Sequence, residues 1–424
     1  MYPATTRLVH VFLGLAPVRI RHLIDVLLFA TLFEVFIGGG GRFVSIGPIS
    51  LRMLLFIACV SISVMAALLR WRQDGGQMVA YGLVLAYLLI HVLGITIGAM
   101  RGAEPGAIFT EFQGTLYWLA APFFAMELQT SVMVRRASVL IQSAGILLAV
   151  SYVLLLVGIA VGEINLGAVL SAVADNDDFG SRGYGLLFYK SFLYVGLAIV
   201  FVVAKRSRCW LPLAILMGMA LVLTLTRGFI LSTATAVLLM LVIQGRKISI
   251  VLGLAAILGA VFIAWSYIPS IDDSFVSARE TSNSQRLDDM SFMLNHASVG
   301  TLVFGEGFGS PINGRSNIEN TYLWALWRMG IAGVLFWLTP LALCAYYYFK
   351  SRKGNSDGLA SAYFFGAVLV YVQTATNPYL NNTIGLTFVL LAIFSLRTLA
   401  KGTASQIGLI SASCGLGETQ LLPQ

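Results

Sequence analysis

Apolar residues in this chain fall in long unbroken blocks, not in the alternation of a half-buried strand or the one-sided stripe of a surface helix. Twelve blocks approach or exceed the ~20 residues that a helix needs to cross a hydrocarbon core. They are 23–40, 47–69, 78–98, 109–127, 138–161, 184–204, 209–226, 228–244, 248–267, 320–349, 359–376 and 382–399. Hydrocarbon offers backbone groups no water to bond, and blocks this long and unalternating do not suit tilted barrel strands, so the pattern predicts helices. The fold class that follows is all-α, a polytopic membrane helical bundle of about 12 transmembrane helices, with a large outer loop between the ninth and tenth. The block at 109–127 is the weakest, because Glu111, Gln113 and Pro122 interrupt it.

Composition closes off the other classes. The 424 residues are 58% hydrophobic and 11% charged, with a mean hydropathy of +0.86. Soluble domains carry about 25% charge, so a soluble globular domain, a disordered chain and a secreted disulfide scaffold are excluded. The net charge of +8 would suit a nucleic-acid binder, but the cations sort by side. With the N-terminus inside, the inner loops hold Arg7, Arg19, Arg21, Arg70, Arg72, Arg135, Arg136, Lys205, Arg206, Arg208, Arg246, Lys247, Lys350, Arg352, Lys353, Arg397 and Lys401, or 17 of the 27 Lys and Arg. The positive-inside rule then places both termini in the cytoplasm and removes nucleic acid as a partner.

None of the four cysteines lies in an outer loop, so no disulfide framework is predicted. The first block lacks a small-residue cleavage site and reads as a retained helix. Among the histidines, which show no metal-ligand spacing, His91 reads as packed and hydrogen-bonded and His296 as a minor candidate. Glu34 and Asp25 in the first span are costly in lipid and should face the bundle or the interface. Without an internal repeat, the chain divides into residues 1–183, the first five helices and first outer loop; 184–400, a core that includes the loop 268–318; and a cytoplasmic tail, 401–424.

Candidate chemistry gathers at the outer ends of the spans. Arg227 stands between Leu225-Thr226 and Gly228-Phe229, at the end of one helix and the start of the next, where Gly228 would allow a tight reversal. Arg279 and Arg286 lie in the large outer loop, and an arginine fork matches phosphate oxygens and stays charged. Glu319-Asn320-Thr321-Tyr322 opens the tenth span, with Asn317 or Asn320 as cap; a helix start suits an anion, and a carboxylate there can take a proton from a sugar hydroxyl. Gly305-Glu306-Gly307-Phe308-Gly309 lacks both the Gly-Lys-Ser/Thr ending and the Gly-x-Gly-x-x-Gly spacing, so it predicts flexible turns and not a phosphate cradle.

Taken together, Leu225-Thr226-Arg227-Gly228, the Arg286 region, Phe304 to Gly309, Glu319 to Leu323 followed by Gly330-Ile331-Ala332-Gly333, and Thr376-Asn377-Pro378 resemble the O-antigen ligase and polymerase superfamily. The resemblance is clearest over 184–399. It implies a glycosyltransferase that uses no metal or other cofactor, in the bacterial inner membrane, working on its periplasmic face. Its substrate would be a polyprenyl-pyrophosphate-linked glycan among membrane lipids, with a flippase and a chain-length regulator as candidate partners. By the same resemblance Arg227, Arg286 and Glu319 are the catalytic candidates: the arginines would bind the pyrophosphate or stabilise its departure. Arg182, Arg279, Arg315, Asn320 and Tyr322 are the candidate substrate contacts. Glu319 occupies a position where ligases commonly carry a histidine base, and a carboxylate among arginines accepts a proton weakly, so it would otherwise orient the acceptor. This departure favours polymerisation of O-antigen or exopolysaccharide repeat units over the alternative, a ligase transferring glycan to lipid A-core. A transporter or flippase would instead be expected to carry midplane polar residues and a two-fold repeat.

Overall fold

The computed structural model describes residues 17–39, 44–46, 49–69, 74–173, 178–181, 187–206, 208–246, 273–315, 318–352 and 358–415. The chain begins with α1 (Pro17–Ile37), a two-residue hairpin β1 (Ser45–Ile46) and β2 (Ile49–Ser50), α2 (Leu51–Leu68) and α3 (Gly75–Met100). There follow α4 (Pro105–Thr115), a 3-10 turn at Leu116–Ala120, α5 (Ala121–Glu127), α6 (Ser131–Val161) and α7 (Leu166–Val173). A second hairpin, β3 (Phe179–Ser181) and β4 (Leu187–Tyr189), leads through a 3-10 turn into α8 (Leu193–Lys205), α9 (Trp210–Leu223) and α10 (Arg227–Ile243). Beyond residue 272 lie α11 (Asp273–His296), α12 (Val299–Phe304), α13 (Thr321–Ser351), α14 (Leu359–Gln373) and α15 (Thr383–Gly415).

The protein is an all-α polytopic membrane bundle. Among the described residues α2, α3, α6, α13 and the Thr383–Gly402 part of α15 are long and apolar enough to cross a membrane, and α9, α10 and α14 are shorter apolar helices. The predicted span 248–267 lies outside the described residues. Short polar side chains start several helices by accepting the free first-turn amides: Ser50 for α2, Asp74 for α3, Thr130 for α6 and Asn320 for α13. At the centre α8 is buried from Leu193 to Ala204 and packs against α6, α9, α10 and α14; the apolar part of α15 is enclosed in the same way.

Two predicted spans are built differently. The block 109–127 is not one helix: it breaks into α4, the 3-10 turn and α5, with Pro122 at the start of the last piece, where its missing N–H costs nothing. The block 184–204 starts as strand and 3-10 turn, leaving only the 13 residues of α8 as α-helix.

The segment after α12 is sewn into the bundle. Helix α13 is kinked at Gly330 (φ 65°, ψ −160°), which frees the carbonyls of Trp327 and Arg328 from their helical partners. The amides of Glu306 and Gly307 take them, at 2.6 and 3.2 Å; the next two, Phe308 and Gly309, donate to the Gly94 carbonyl of α3 and to Glu111 of α4, both at 3.0 Å. Gly305, Gly307 and Gly309 all have positive φ and lie against backbone or side chains that a Cβ would strike. The expected flexible turns are therefore close-packed, and their four consecutive amides are spent on the protein's own oxygens, which leaves none for a phosphate.

Charges inside the bundle are paired. Arg328 is fully buried and bonds Glu111, which also holds Gly309. Glu34 faces the bundle, as its cost in lipid requires, and meets Arg52 at 3.4 Å; Arg52 also donates to Thr383 at 2.8 Å. At the bundle's opposite end Asp74 takes Lys401 and Arg397. Burial alone would raise the Asp74 carboxyl, but the Lys401 and Gly76 hydrogen bonds with both cationic charges outweigh it and hold the group below its usual range. His91 is buried, bonds the Tyr87 carbonyl at 2.9 Å and packs among Phe308, Phe336 and Trp337, as expected. Replacing Glu111 by Ala should strand the Arg328 charge and lower stability by about 3 kcal/mol. Thermal unfolding of the detergent-solubilised protein checks this, and an unchanged melting temperature would refute the role given to the pair.

Candidate active site

Four segments distant in sequence converge at one end of the bundle, the mouth. Helix α10 begins at Arg227, after a turn in which Leu225 carries the positive φ (49°), so the reversal is made there and not at Gly228. Gly228 instead provides close approach. A Cβ on it would lie 2.7 Å from Thr376 Oγ1 and 2.8 Å from Gln373 Nε2, at the end of α14. Gln373 is fully buried and its Oε1 accepts from Ser232 of α10 at 2.9 Å, pinning the two helices together beneath the turn. Phe229 adds ring contacts to Phe188 and Tyr379, at 5.7 and 5.9 Å between centroids.

Arg286 reaches the same residue from α11. Its Nη2 donates to the Thr376 carbonyl at 3.0 Å, and its Nε and Nη2 meet Glu319 Oε2 at 2.7 and 2.6 Å. Glu319 lies two residues before α13, and Thr321 at the start of that helix donates its amide to the Thr374 carbonyl at 3.3 Å. Thr376 is thus a hub: its carbonyl holds Arg286, and its hydroxyl side receives the turn that carries Arg227. Arg227 itself is exposed, and among the described residues no hydrogen bond or ion pair engages it. Beside the Arg286–Glu319 pair lies a cavity of about 160 Å³, lined by Arg286, Asp289, Asn320, Leu287, Met290 and Leu323.

The remaining candidates divide by what they touch. Asn320 caps α13, accepting from the amides of Tyr322 and Leu323 at 2.9 and 3.2 Å, and also lines the cavity. Tyr322 gives its hydroxyl proton to the Tyr371 carbonyl at 2.8 Å, which fastens α13 to α14. Arg315 pairs with Asp289 and bonds the Gln285 carbonyl at 3.2 Å, bracing α11 against the turn before α13. Burial lifts the Asp289 carboxyl above its usual range, and Arg315 only partly offsets this. Arg279 is placed in α11 with its side chain outside the described residues, and Arg182 lies outside them altogether. His296 stacks on Phe292 and is exposed.

Sequence reasoning missed Gln373, Ser232 and the Arg328–Glu111 pair, and it gave Thr376 no role. A signal existed for two of them, since a glutamine and an arginine inside apolar blocks are expensive unless they bond something. The others carry no local mark.

A family model described as O-Antigen ligase matches residues 212–338, a stretch that contains Arg227, Arg286 and Glu319. The chain belongs to the O-antigen ligase and polymerase family of bacterial multi-pass membrane enzymes. It is 30% identical over 381 residues to an O-antigen polymerase of Shigella flexneri, an alignment covering 86% of this chain and 94% of that protein.

The geometry at the hub yields a test. Gly228→Ala should push the α10 turn off Thr376 and Gln373 and cut activity by about tenfold or more, because ångström displacements of a charged group degrade a site before they unfold a bundle. Elongation assays alongside melting curves would check this, and unchanged turnover would show that the close approach does not set the position of Arg227.

Proposed function

We propose that the protein is an inner-membrane glycosyltransferase that polymerises polyprenyl-pyrophosphate-linked oligosaccharide repeat units of O-antigen or exopolysaccharide at the periplasmic face. The observation that carries this reading is that Arg286, paired to Glu319 and lining a cavity, and the turn that carries Arg227 both meet Thr376. Near full-length similarity to a polymerase supports it over the ligase alternative. Cation placement supports an orientation with the mouth in the periplasm and both termini in the cytoplasm. The family match falls within residues 184–400, which form the core of the proposal, with 1–183 as its frame.

In the reaction an acceptor sugar hydroxyl attacks the donor's anomeric carbon, the bond from that carbon to the phosphate oxygen breaks, and its electron pair leaves on the polyprenyl pyrophosphate. Arg227 and Arg286 meet that growing charge; preorganised cations stabilise it without rearranging. Glu319 begins paired to Arg286. As the pyrophosphate takes up the Arg286 fork, the carboxylate loses part of its counter-charge and is left to orient the acceptor and take its proton. A flippase would deliver the donor to this leaflet, and a chain-length regulator would act on the product.

Charge alone should not suffice. Arg286→Lys and Arg227→Lys each should lose about a hundredfold in elongation of lipid-linked oligosaccharide, because a lysine keeps the charge but not the planar fork. Glu319→Gln should impair transfer with little change in melting temperature, and wild-type turnover in it would reduce Glu319 to a tether for Arg286. In cells, deleting the gene should leave single repeat units on the surface acceptor, read on a polysaccharide gel. Full-length polymer stranded on its carrier would indicate the ligase.

A further inference from the structure

Helix α11 has three faces. Asp289 and Met293 are buried, with Gln285 and Phe292 half-buried beside them, against the bundle. Ser284, Asp288, Ser291 and Asn295, spaced as one helical stripe, are exposed and polar. Leu287, Met290 and Leu294 form a separate stripe at i, i+3 and i+7 that is exposed and apolar, with Leu287 at 66% and Leu294 at 73% exposure. A solvated helix needs two faces, one packed and one polar. The extra apolar flank, segregated from the polar one, is the pattern of a helix lying in a bilayer surface.

Exposed apolar residues follow in α12 and α13. Leu302, Val303 and Phe304 of α12 are exposed, and α12 is tucked into the α13 kink, its Val303 carbonyl against Gly330. The next residue of α13 is Ile331, exposed and followed one turn later by exposed Leu335, on a helix apolar enough to span. Backbone off the helical path is tolerated at this depth where it is buried and bonded, as the Glu306 to Gly309 amides are.

We propose that the apolar flank of α11 and α12 is a lip seated among the acyl chains of the leaflet at the mouth, with the polar stripe of α11 facing water. Arg286 stands on the seam between the packed face and the lip, and Leu287 and Met290 line its cavity. Resting on the function proposed above, the lip sets Arg286 at headgroup level, so a lipid-borne diphosphate slides sideways onto the arginine while its isoprenoid tail stays in the bilayer.

The test uses the full chain, with Cys209 and Cys414 replaced by serine, in nanodiscs of phosphatidylethanolamine and phosphatidylglycerol. Single nitroxides are placed at Leu294 and Val303 and, as controls, at Asp288 and Asn295. Collisions with molecular oxygen should dominate at 294 and 303, and collisions with a water-soluble nickel chelate at 288 and 295. Equal nickel access at 294 and 295 would overturn the proposal. So would shielding of 294 from both reagents, which would mean a protein partner or a second copy covers the flank. As a second measurement, Leu294→Glu should slow elongation of the lipid-linked donor about tenfold, whereas Asn295→Glu should change it less than about twofold. If the nitroxides partition as expected but Arg286→Ala keeps full elongation, the lip stands and the reading of the active site fails.

Discussion

A break in a membrane helix leaves carbonyl groups that lipid cannot satisfy, and one such break anchors the segment that leads into the mouth. The kink of α13 at Gly330 exposes the Trp327 and Arg328 carbonyls, and the Glu306 and Gly307 amides bond them. This stitches the end of the large loop into the bundle, and with it α12 and α11. Arg286 is presented by a helix whose far end is tied down in this way. The glycines at 305 and 307 belong to the same constraint, because backbone approaches backbone too closely there for any side chain.

Buried charge is handled by a second rule, pairing across segments. Arg328 with Glu111 and Arg52 with Glu34 are enclosed and serve packing. The Arg286–Glu319 pair differs because both partners remain partly exposed beside a cavity, at 34% and 45% of their side-chain surfaces. An enclosed pair cannot exchange partners without stranding a charge. A half-open one can, a property shared with Arg101–Glu306 and Lys401–Asp74, and Arg286 in addition lines a cavity. Arg315 falls between the two, since its partner Asp289 is buried while the arginine reaches the surface.

The division of labour along the chain follows. Helices α8, α14 and the apolar part of α15 form a rigid interior, and Thr376 stands just past the end of α14 where that interior meets the mouth. Arg286 and the turn that carries Arg227 both meet this one point, although the two arginines stand 59 positions apart in the chain. Rigid support beneath a polar, half-open surface suits chemistry on a substrate whose greasy half never leaves the membrane.

Hydropathy blocks and the short motifs were enough to read an all-α membrane bundle and its family, and to single out Arg227, Arg286 and Glu319 as candidates. Those properties are written in residue type and local order, which bilayer physics constrains directly. The broken block at 109–127, the ordered path of Gly305 to Gly309 and the hub at Thr376 were not readable. Each depends on which carbonyl, carboxylate or bare Cα another segment brings alongside: Gly228 against Thr376, Glu111 against Arg328, Glu319 against Arg286. A one-dimensional pattern records that a group is polar or small, but its partner is chosen when distant helices pack, and that choice brought the Arg286–Glu319 pair and the turn carrying Arg227 to a single threonine.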